Sequence, residues 1–414
     1  MTTTTDIVVA GGSYAGLAVA VALARESGGE LHVMLVSPGL PALDAGAGGV
    51  DDVRASALSR GSLNLLQHLG AWDEIAAHAQ PVSAIEITDS NLDDAIRPTA
   101  LSYALDRGHA GSSLPSMVIV ENRRLGAALH RAAKAAAGVT LAAGAAIADF
   151  VADQDGVQAT LSDGTTIAAR LLVAADGARS KLREAAGIKS IGWPYRQRGI
   201  VTFVEPEQPH EGRAVQHFLP AGPFALLPMT GDRICITWTE GDDEAHRILA
   251  LDAAGFRAEV ERRFGYRLGA LKTIAPPQSW PLELDVARGL IGTRMALIGD
   301  AAHKVHPIAG QGLNLGFRDV AALSETIIDA ARLGLDFGRP ETLERYERWR
   351  RFDNLASAAG FDALNRMFSS DNTLARSARG AVLGIADRLE GVKGWLVGEA
   401  AGERGDVPRL LRGR

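Results

Sequence analysis

The sequence is short of the residues that staple, ligate or anchor a chain. Its single cysteine, Cys235, excludes intrachain disulfides and cysteine-cluster metal sites. It has no excess of basic charge: 43 Lys+Arg against 49 Asp+Glu give a net charge of −6, so no nucleic-acid partner is expected. It also has no uninterrupted membrane span. Ile7 to Ala24 carries no charge, but Gly11-Gly12-Ser13-Tyr14 breaks the run, and no Lys or Arg precedes it as a signal peptide would require. A cytoplasmic protein is expected, with contact at the inner face of the membrane or within a biosynthetic complex as a further option. No repeat of 20–50 residues stands out.

What is present is ordinary globular material with one excess. Hydrophobic residues make up 47% and charged residues 22%, which excludes wholesale disorder. A length of 414 residues implies two or three domains, or two interleaved ones. Glycine accounts for 46 of them, so either the chain is loose or its backbone approaches something closely at defined places.

The opening reads as a β-α-β unit: strand Ile7 to Ala10, a tight turn, a helix from about Ala15 to Arg25, and a strand Leu31 to Val36. A helix with Leu63, Leu66 and Leu69 follows, then β-like sequence over about 80–118, then a helix from about Arg123. Val157–Leu161 and Thr165–Ile167 flank the Asp163-Gly164 turn as a hairpin, whose second arm runs on to Ala175. Residues 190–285 are again β-like. Met295 to Ile298 is an apolar strand, and helix dominates beyond Gln311. The last fifteen residues are charged and expected to fray.

Chemistry gathers at three strand ends. Gly11-x-x-x-x-Gly16 opens a helix and offers unpaired N–H groups at its positive end, suited to pyrophosphate. Ser13 takes the middle glycine position of the usual fingerprint, and Ser37 stands where a ribose-binding carboxylate is expected. Asp176-Gly177 ends a second strand and precedes Arg179-Ser180. Gly299-Asp300 ends a third, and runs through His306-Pro307-Ile308-Ala309-Gly310-Gln311-Gly312-Leu313-Asn314 into a helix with Phe317, Val320, Leu323 and Ile327 on one face. Its N-terminus would face developing negative charge, as on a reduced flavin.

These motifs, in this order, resemble the aromatic-ring hydroxylases of the flavoprotein monooxygenases. The 306–319 stretch, Asp52-x-Arg54-x-x-Ala57-Leu58-Ser59, and the segment from Arg350-Arg351-Phe352 to Met367-Phe368-Ser369 resemble the ubiquinone-biosynthesis, UbiH-type branch. The likeness runs from about residue 6 to about 400. It implies an α/β fold: a Rossmann-like FAD-binding domain of glutathione-reductase type, an inserted β-sheet substrate domain and a helical C-terminus. The corresponding boundaries are 1–78, 118–188 and 285–340 for the FAD-binding parts, 79–117 and 189–284 for the substrate domain, and 341–414 for the C-terminal region.

By the same resemblance, Gly11, Gly12, Ser13, Gly16 and Ser37 would hold the adenine-nucleotide half of FAD, and Arg54 and Arg123 would contact the flavin. Asp176 and Gly177 would touch FAD and the NAD(P)H region, and Asp300 the ribityl chain. Gly310, Gly312, Leu313 and Asn314 would lie at the isoalloxazine edge, with Pro307 beside the carbon that carries oxygen. NAD(P)H would be the reductant, O₂ the co-substrate, and a prenylated phenol the aromatic substrate. His217 is a candidate general base, with a structural histidine as its alternative. Other readings are a hydroxylase of a different aromatic compound and a flavin-free accessory protein that binds lipid-like intermediates. No two of the six tryptophans are two positions apart, which removes the flavin-halogenase motif.

Several features have plainer readings. His303 and His306, three apart, belong to a turn near the flavin and not to a metal site. Cys235 is a packing residue, and Trp238 lines either the core or a substrate pocket. Arg345, Arg348, Arg350 and Arg351 form a solvated or salt-bridged helix face. Val382, Ile385, Leu389, Val392 and Leu396 recur at helical spacing, for docking on the core or on a membrane surface.

Overall fold

The computed structural model describes residues 2–43, 54–92, 94, 97–106, 114–265, 267–307, 310–368, 391, 394, 397, 398, 401, 402 and 405–412. Asp52, Ile308, Ala309, Ser369, Val382, Ile385, Leu389, Val392 and Leu396, for which the sequence raises expectations, lie outside these residues.

Runs of apolar residues with no polar alternation need cover on both faces, the condition of a parallel sheet. Ile7–Ala10 and Leu171–Ala174 are such runs, buried at every position. They lie side by side in a six-stranded sheet ordered Ile291–Gly292, Met295–Leu297, Leu171–Ala174, Ile7–Ala10, Val33–Ser37, Val139–Ala143. All neighbours pair in parallel except the first two. Helix Tyr14–Glu26, buried continuously from Gly16 to Ala24, packs between helices Asn122–Ala135 and Gly312–Arg332. This is the platform expected for the nucleotide domain.

The hairpin forms around Asp163-Gly164, with Asp163 Oδ1 accepting from the Thr165 amide at 2.9 Å. Its second arm does not run on, however. It breaks at Arg170: Thr166–Ala169 belongs to a four-stranded sheet with Thr2–Thr4, and Leu171–Ala174 crosses to the platform.

The two β-like blocks merge into one large antiparallel-rich sheet. Its path runs His303–Lys304, Gln278–Ala287, Ser190–Pro206, Ile234–Gly241, Gly222–Pro228, Arg213–Leu219, Ala84–Asp89, Thr99–Ala104. Alternation sorts its side chains onto two faces. Ile200, Val215, Phe224, Leu226, Ile236 and Trp238 pack under helices Asp242–Leu249 and Ala253–Phe264. Val201, Ala214 and Cys235 face the platform side, against Ala57, Val82, Met117 and Ile119. Trp238 is therefore core: it meets Phe224 edge-on, and the Arg263 guanidinium lies 4.3 Å from its ring centre. The two covering helices are an addition to the β-like reading of 190–285.

Beyond the platform, helix Pro340–Phe368 starts on a proline, which suits a first-turn position whose N–H would be unpaired anyway. Over the described residues 405–412 the tail packs against the body of the chain and does not fray. Leu410 and Leu411 are each 4% exposed, the Asn64 side chain donates to the Leu411 carbonyl at 2.8 Å, and Arg409 pairs with Asp329. Among the described residues, no helix is long and apolar enough to cross a membrane.

Candidate active site

Because Ile7–Ala10, Leu171–Ala174 and Met295–Leu297 are adjacent parallel strands, the turns after them open along one edge. The first turn is built on close approach. Gly11 has φ +109°, and a β-carbon there would stand 2.2 Å from the Ala175 carbonyl oxygen of the second turn. A β-carbon on Gly16 would stand 1.9 Å from the Gly11 carbonyl oxygen. Only glycine fits either place. Ser13 caps helix Tyr14–Glu26 in extended conformation without a side-chain bond, so its hydroxyl does not compete with a ligand for the helix N-terminus.

In front of these turns lies a cleft of about 980 Å³, lined by Gly11, Gly12, Ser13, Ser37, Arg54, Arg123, Asp176 and Gly177, with Arg179 and Lys181 adding positive charge. Ser37 donates its hydroxyl to the Gly39 carbonyl at 2.6 Å, so it offers a ligand lone pairs and no proton. Arg123 is tied to Glu121, whose carboxylate is shared with Arg233 at 2.7 Å. Burial would raise the Glu121 carboxyl, but Arg233 and Arg123 outweigh it and hold the group below its ordinary 4.5. Asp176 accepts from the Leu182 amide through Oδ2, while its Oδ1 is buried without a partner. That is the kind of orphan a ligand hydroxyl satisfies. Arg54 lies 5.6 Å from the Trp280 ring centre and so joins the cleft to the platform-facing side of the large sheet.

Asp300, Gly310, Gly312, Leu313 and Asn314 fall outside the cleft's lining, along the segment that leaves the third strand. Asp300 is exposed, yet the surrounding protein still pushes its carboxyl upward, with His303, Lys304 and Arg54 partly offsetting this. Gln311 leaves helix Gly312–Arg332 without a side-chain cap. Asn314 turns its carboxamide inward: it donates to the Ala57 carbonyl at 2.8 Å and accepts from the Ser59 amide at 3.0 Å and the Ser62 hydroxyl at 2.7 Å. Any flavin contact of Asn314 therefore falls to its backbone. Pro307 accepts from the Gly310 amide at 3.1 Å, closing the strap between the third strand and this helix.

A buried ionic knot braces the strap. Asp319 accepts from the Gly299 amide at 3.0 Å, from His303 Nε2 at 2.5 Å and from Arg350 Nε at 2.8 Å. Burial would raise the Asp319 carboxyl, but His303 and Arg350 hold it below its ordinary 3.8. His303 is thus a strut, and no group that could hold a metal ion occurs among the described residues. Of the two readings of its cluster, Arg350 takes the salt-bridged one: at 1% exposure it is not solvated, and it pairs inward with Asp319. His306 is fully buried edge-on to Tyr195, and burial lowers it to about 4.

His217 is not brought to this site. It points with Val215 and Leu226 into a separate pocket on the outer face of the large sheet, beside Arg267. Its Nδ1 lies 2.7 Å from the Thr88 hydroxyl, and burial, aided by Arg97 and Arg267, pushes it down to about 3. The general-base candidacy gives way to the structural reading. Sequence reasoning also missed the Arg350–Asp319 pair and the Asn314 clamp. Asn314 and Asp319 sit within a highlighted stretch, but nothing local tells a clamp from a ligand contact.

The tight first turn, the open helix N-terminus, the cationic cleft and the orphaned Asp176 oxygen all fit an adenine dinucleotide. Residues 4–353 match the family model described as FAD binding domain, and the chain belongs to that family of flavoproteins. It is 42% identical over 411 residues to the ubiquinone hydroxylase UbiL of Rhodospirillum rubrum, covering 99% of this chain and 92% of that one. It is 31% identical over 386 residues to the 3-demethoxyubiquinol 3-hydroxylase of Escherichia coli, covering 93% and 95%. Among solved structures, the p-nitrophenol 4-monooxygenase PnpA of Pseudomonas putida shares the fold with a TM-score of 0.78 at 19% identity, covering 98% of this chain and 100% of that one.

Proposed function

We propose that this chain is an FAD-dependent monooxygenase that hydroxylates the ring of a prenylated phenol in ubiquinone biosynthesis, with NAD(P)H as reductant and O₂ as co-substrate. The observation that carries the reading is end-to-end similarity to a ubiquinone hydroxylase in a chain whose dinucleotide cleft is intact. Bound FAD supplies the redox and oxygen chemistry. The protein's part is to bind, orient and exclude water. Gly11, Gly12, Ser13 and Gly16 admit the pyrophosphate to the helix N-terminus, and Asp176 and Asp300 accept from hydroxyls. Arg54 and Arg123 add positive charge, while Gly312, Leu313 and Asn314 present backbone N–H groups to the flavin edge. Pro307 and Gly310 fix the strap. The cleft weighs against a flavin-free accessory role.

The six-segment division of the chain given above is part of this reading. So is contact with a membrane surface or a biosynthetic complex, for which Phe352 and Leu355, exposed on one helix, supply an apolar patch. The test is twofold. The purified protein should carry or take up FAD, and its deletion should make a prenylated ubiquinone precursor accumulate. A colourless protein that ignores added FAD overturns the enzyme reading. A flavoprotein whose loss leaves quinone synthesis intact is instead a hydroxylase of another aromatic compound.

A further inference from the structure

The large sheet turns a cross-strand row toward the platform, running Leu101, Ile87, Gln216, Ala225, Thr237, Val201. The facing of the row follows from alternation. Val215 is packed under the outer helices and Ala214 against the platform side, so Gln216 shares the face of Ala214. Trp280, opposite Gly199 and two residues along from Val201's row, carries Arg54 of the FAD cleft, so this face borders the cofactor's end of the site.

Gln216 is anomalous on this face. Its Nε2 is buried and makes no hydrogen bond. Its direct cross-strand neighbours, Ile87 and Ala225, have no side-chain acceptor, and neither do Ala214 and Phe218 two residues away along its own strand. Asp89, diagonal to it on the next strand, leaves the Nε2 unpaired. A buried amide donor without a partner is costly in a protein that uses it for nothing, whereas leucine would leave no donor unpaired.

We propose that the Gln216 carboxamide is the specificity-determining donor for an oxygen substituent on the aromatic ring of the substrate. This rests on the phenol reading above and adds which side chain recognises the ring oxygen. A carboxamide suits the task because it carries donor and acceptor on one planar group, and rotation about its last bond selects which is presented. A site with a buried donor waiting for an oxygen rejects the analogue that lacks it, because the donor then stays unpaired.

The test uses the full-length FAD-loaded protein with two probes: a short-chain prenylphenol and the matching prenylbenzene without the hydroxyl, followed by the change in flavin fluorescence. The native protein should bind the phenol about tenfold to hundredfold more tightly. Gln216→Leu should bind the two alike, with FAD affinity unchanged. Ligand-free Gln216→Leu should also melt no lower than the native protein, since it loses an unpaired donor and no bond; a glutamine with a structural role would lower the melting temperature. A retained preference in the variant, equal weakening of both probes, or a lower melting temperature overturns the assignment. Native protein that binds both probes equally overturns it while leaving the phenol reading standing. Native protein that binds neither overturns both.

Discussion

His303 Nε2 and Asp319 Oδ2 stand 2.5 Å apart, both side chains wholly shielded from water. One residue begins the strap and the other lies in the second turn of the helix that the strap leads into. Their pairing, with Arg350 on the carboxylate's other oxygen, sets the path of Pro307 and the angle of the uncapped helix N-terminus.

Removing one member should therefore cost more than an exposed ion pair would. Arg350→Met leaves a buried carboxylate without its principal cation, and a loss of about 3–5 kcal/mol in unfolding free energy is expected. Asp319→Asn should lose stability similarly and weaken FAD retention, because the Gly299 amide loses a charged acceptor. Urea denaturation monitored by tryptophan fluorescence reads both.

The buried histidines set an acid limit. His306 titrates near 4 and His217 near 3 in the folded chain, against 6.5 when unfolded. Between pH 6.5 and 4 the unfolded chain holds these protons and the folded chain does not, so stability falls as pH is lowered. Each group contributes a slope of about 1.4 kcal/mol per pH unit. Asp319 and Glu121 extend the loss further: their lowered values favour the folded chain above the ordinary carboxylate range, and that gain disappears as pH falls through their folded values. Urea midpoints at half-unit steps from pH 7.5 to 4 should stay nearly level down to about 6.5 and decline below it, and His217→Phe should flatten that slope.

Gly16→Ala should yield a folded protein that loses its flavin. The new methyl group meets the Gly11 carbonyl oxygen and forces apart the turn that admits the pyrophosphate. A fall in FAD affinity of about tenfold to hundredfold is expected, from the 1–3 kcal/mol typical of overpacking. Equilibrium titration of apoprotein with FAD measures it.

His217→Phe should also leave turnover at its native level, since His217 faces away from the cleft and its hydrogen bond is to Thr88. Steady-state oxygen uptake with a phenol substrate checks this. A collapse of kcat with FAD still bound would restore the general-base role.

The sequence was most legible where a single local pattern has a single physical use. Gly11 and Gly16 announce a turn no other residue can make, and Ile7–Ala10 and Leu171–Ala174 can only be strands covered on both sides. Long-range choices were illegible. The alternation of Arg213–Leu219 says that Gln216 and His217 oppose each other, but which one faces the platform is decided by docking of distant elements. Arg350 looked like one charge among several because its partner lies 31 residues earlier. Helix Ala253–Phe264 did leave a signal that went unread: Asp252 accepts from the Gly255 amide at 2.8 Å as an N-cap, and Phe256, Val260 and Phe264 recur at helical spacing.

The order of strands in the platform has a consequence for biosynthesis. Leu171–Ala174 lies between Ile7–Ala10 and Met295–Leu297, and Asn314 must reach back to Ala57 and Ser59 to lock the helix in place. A ribosome making the chain from its first residue delivers most of the large sheet before the third turn exists. At about 5–20 residues per second, the opening strand waits on the order of tens of seconds for the element that completes its sheet edge. The cofactor pocket is thus closed only by a late segment of the nascent chain, and full FAD capture should mark near-completion of the polypeptide.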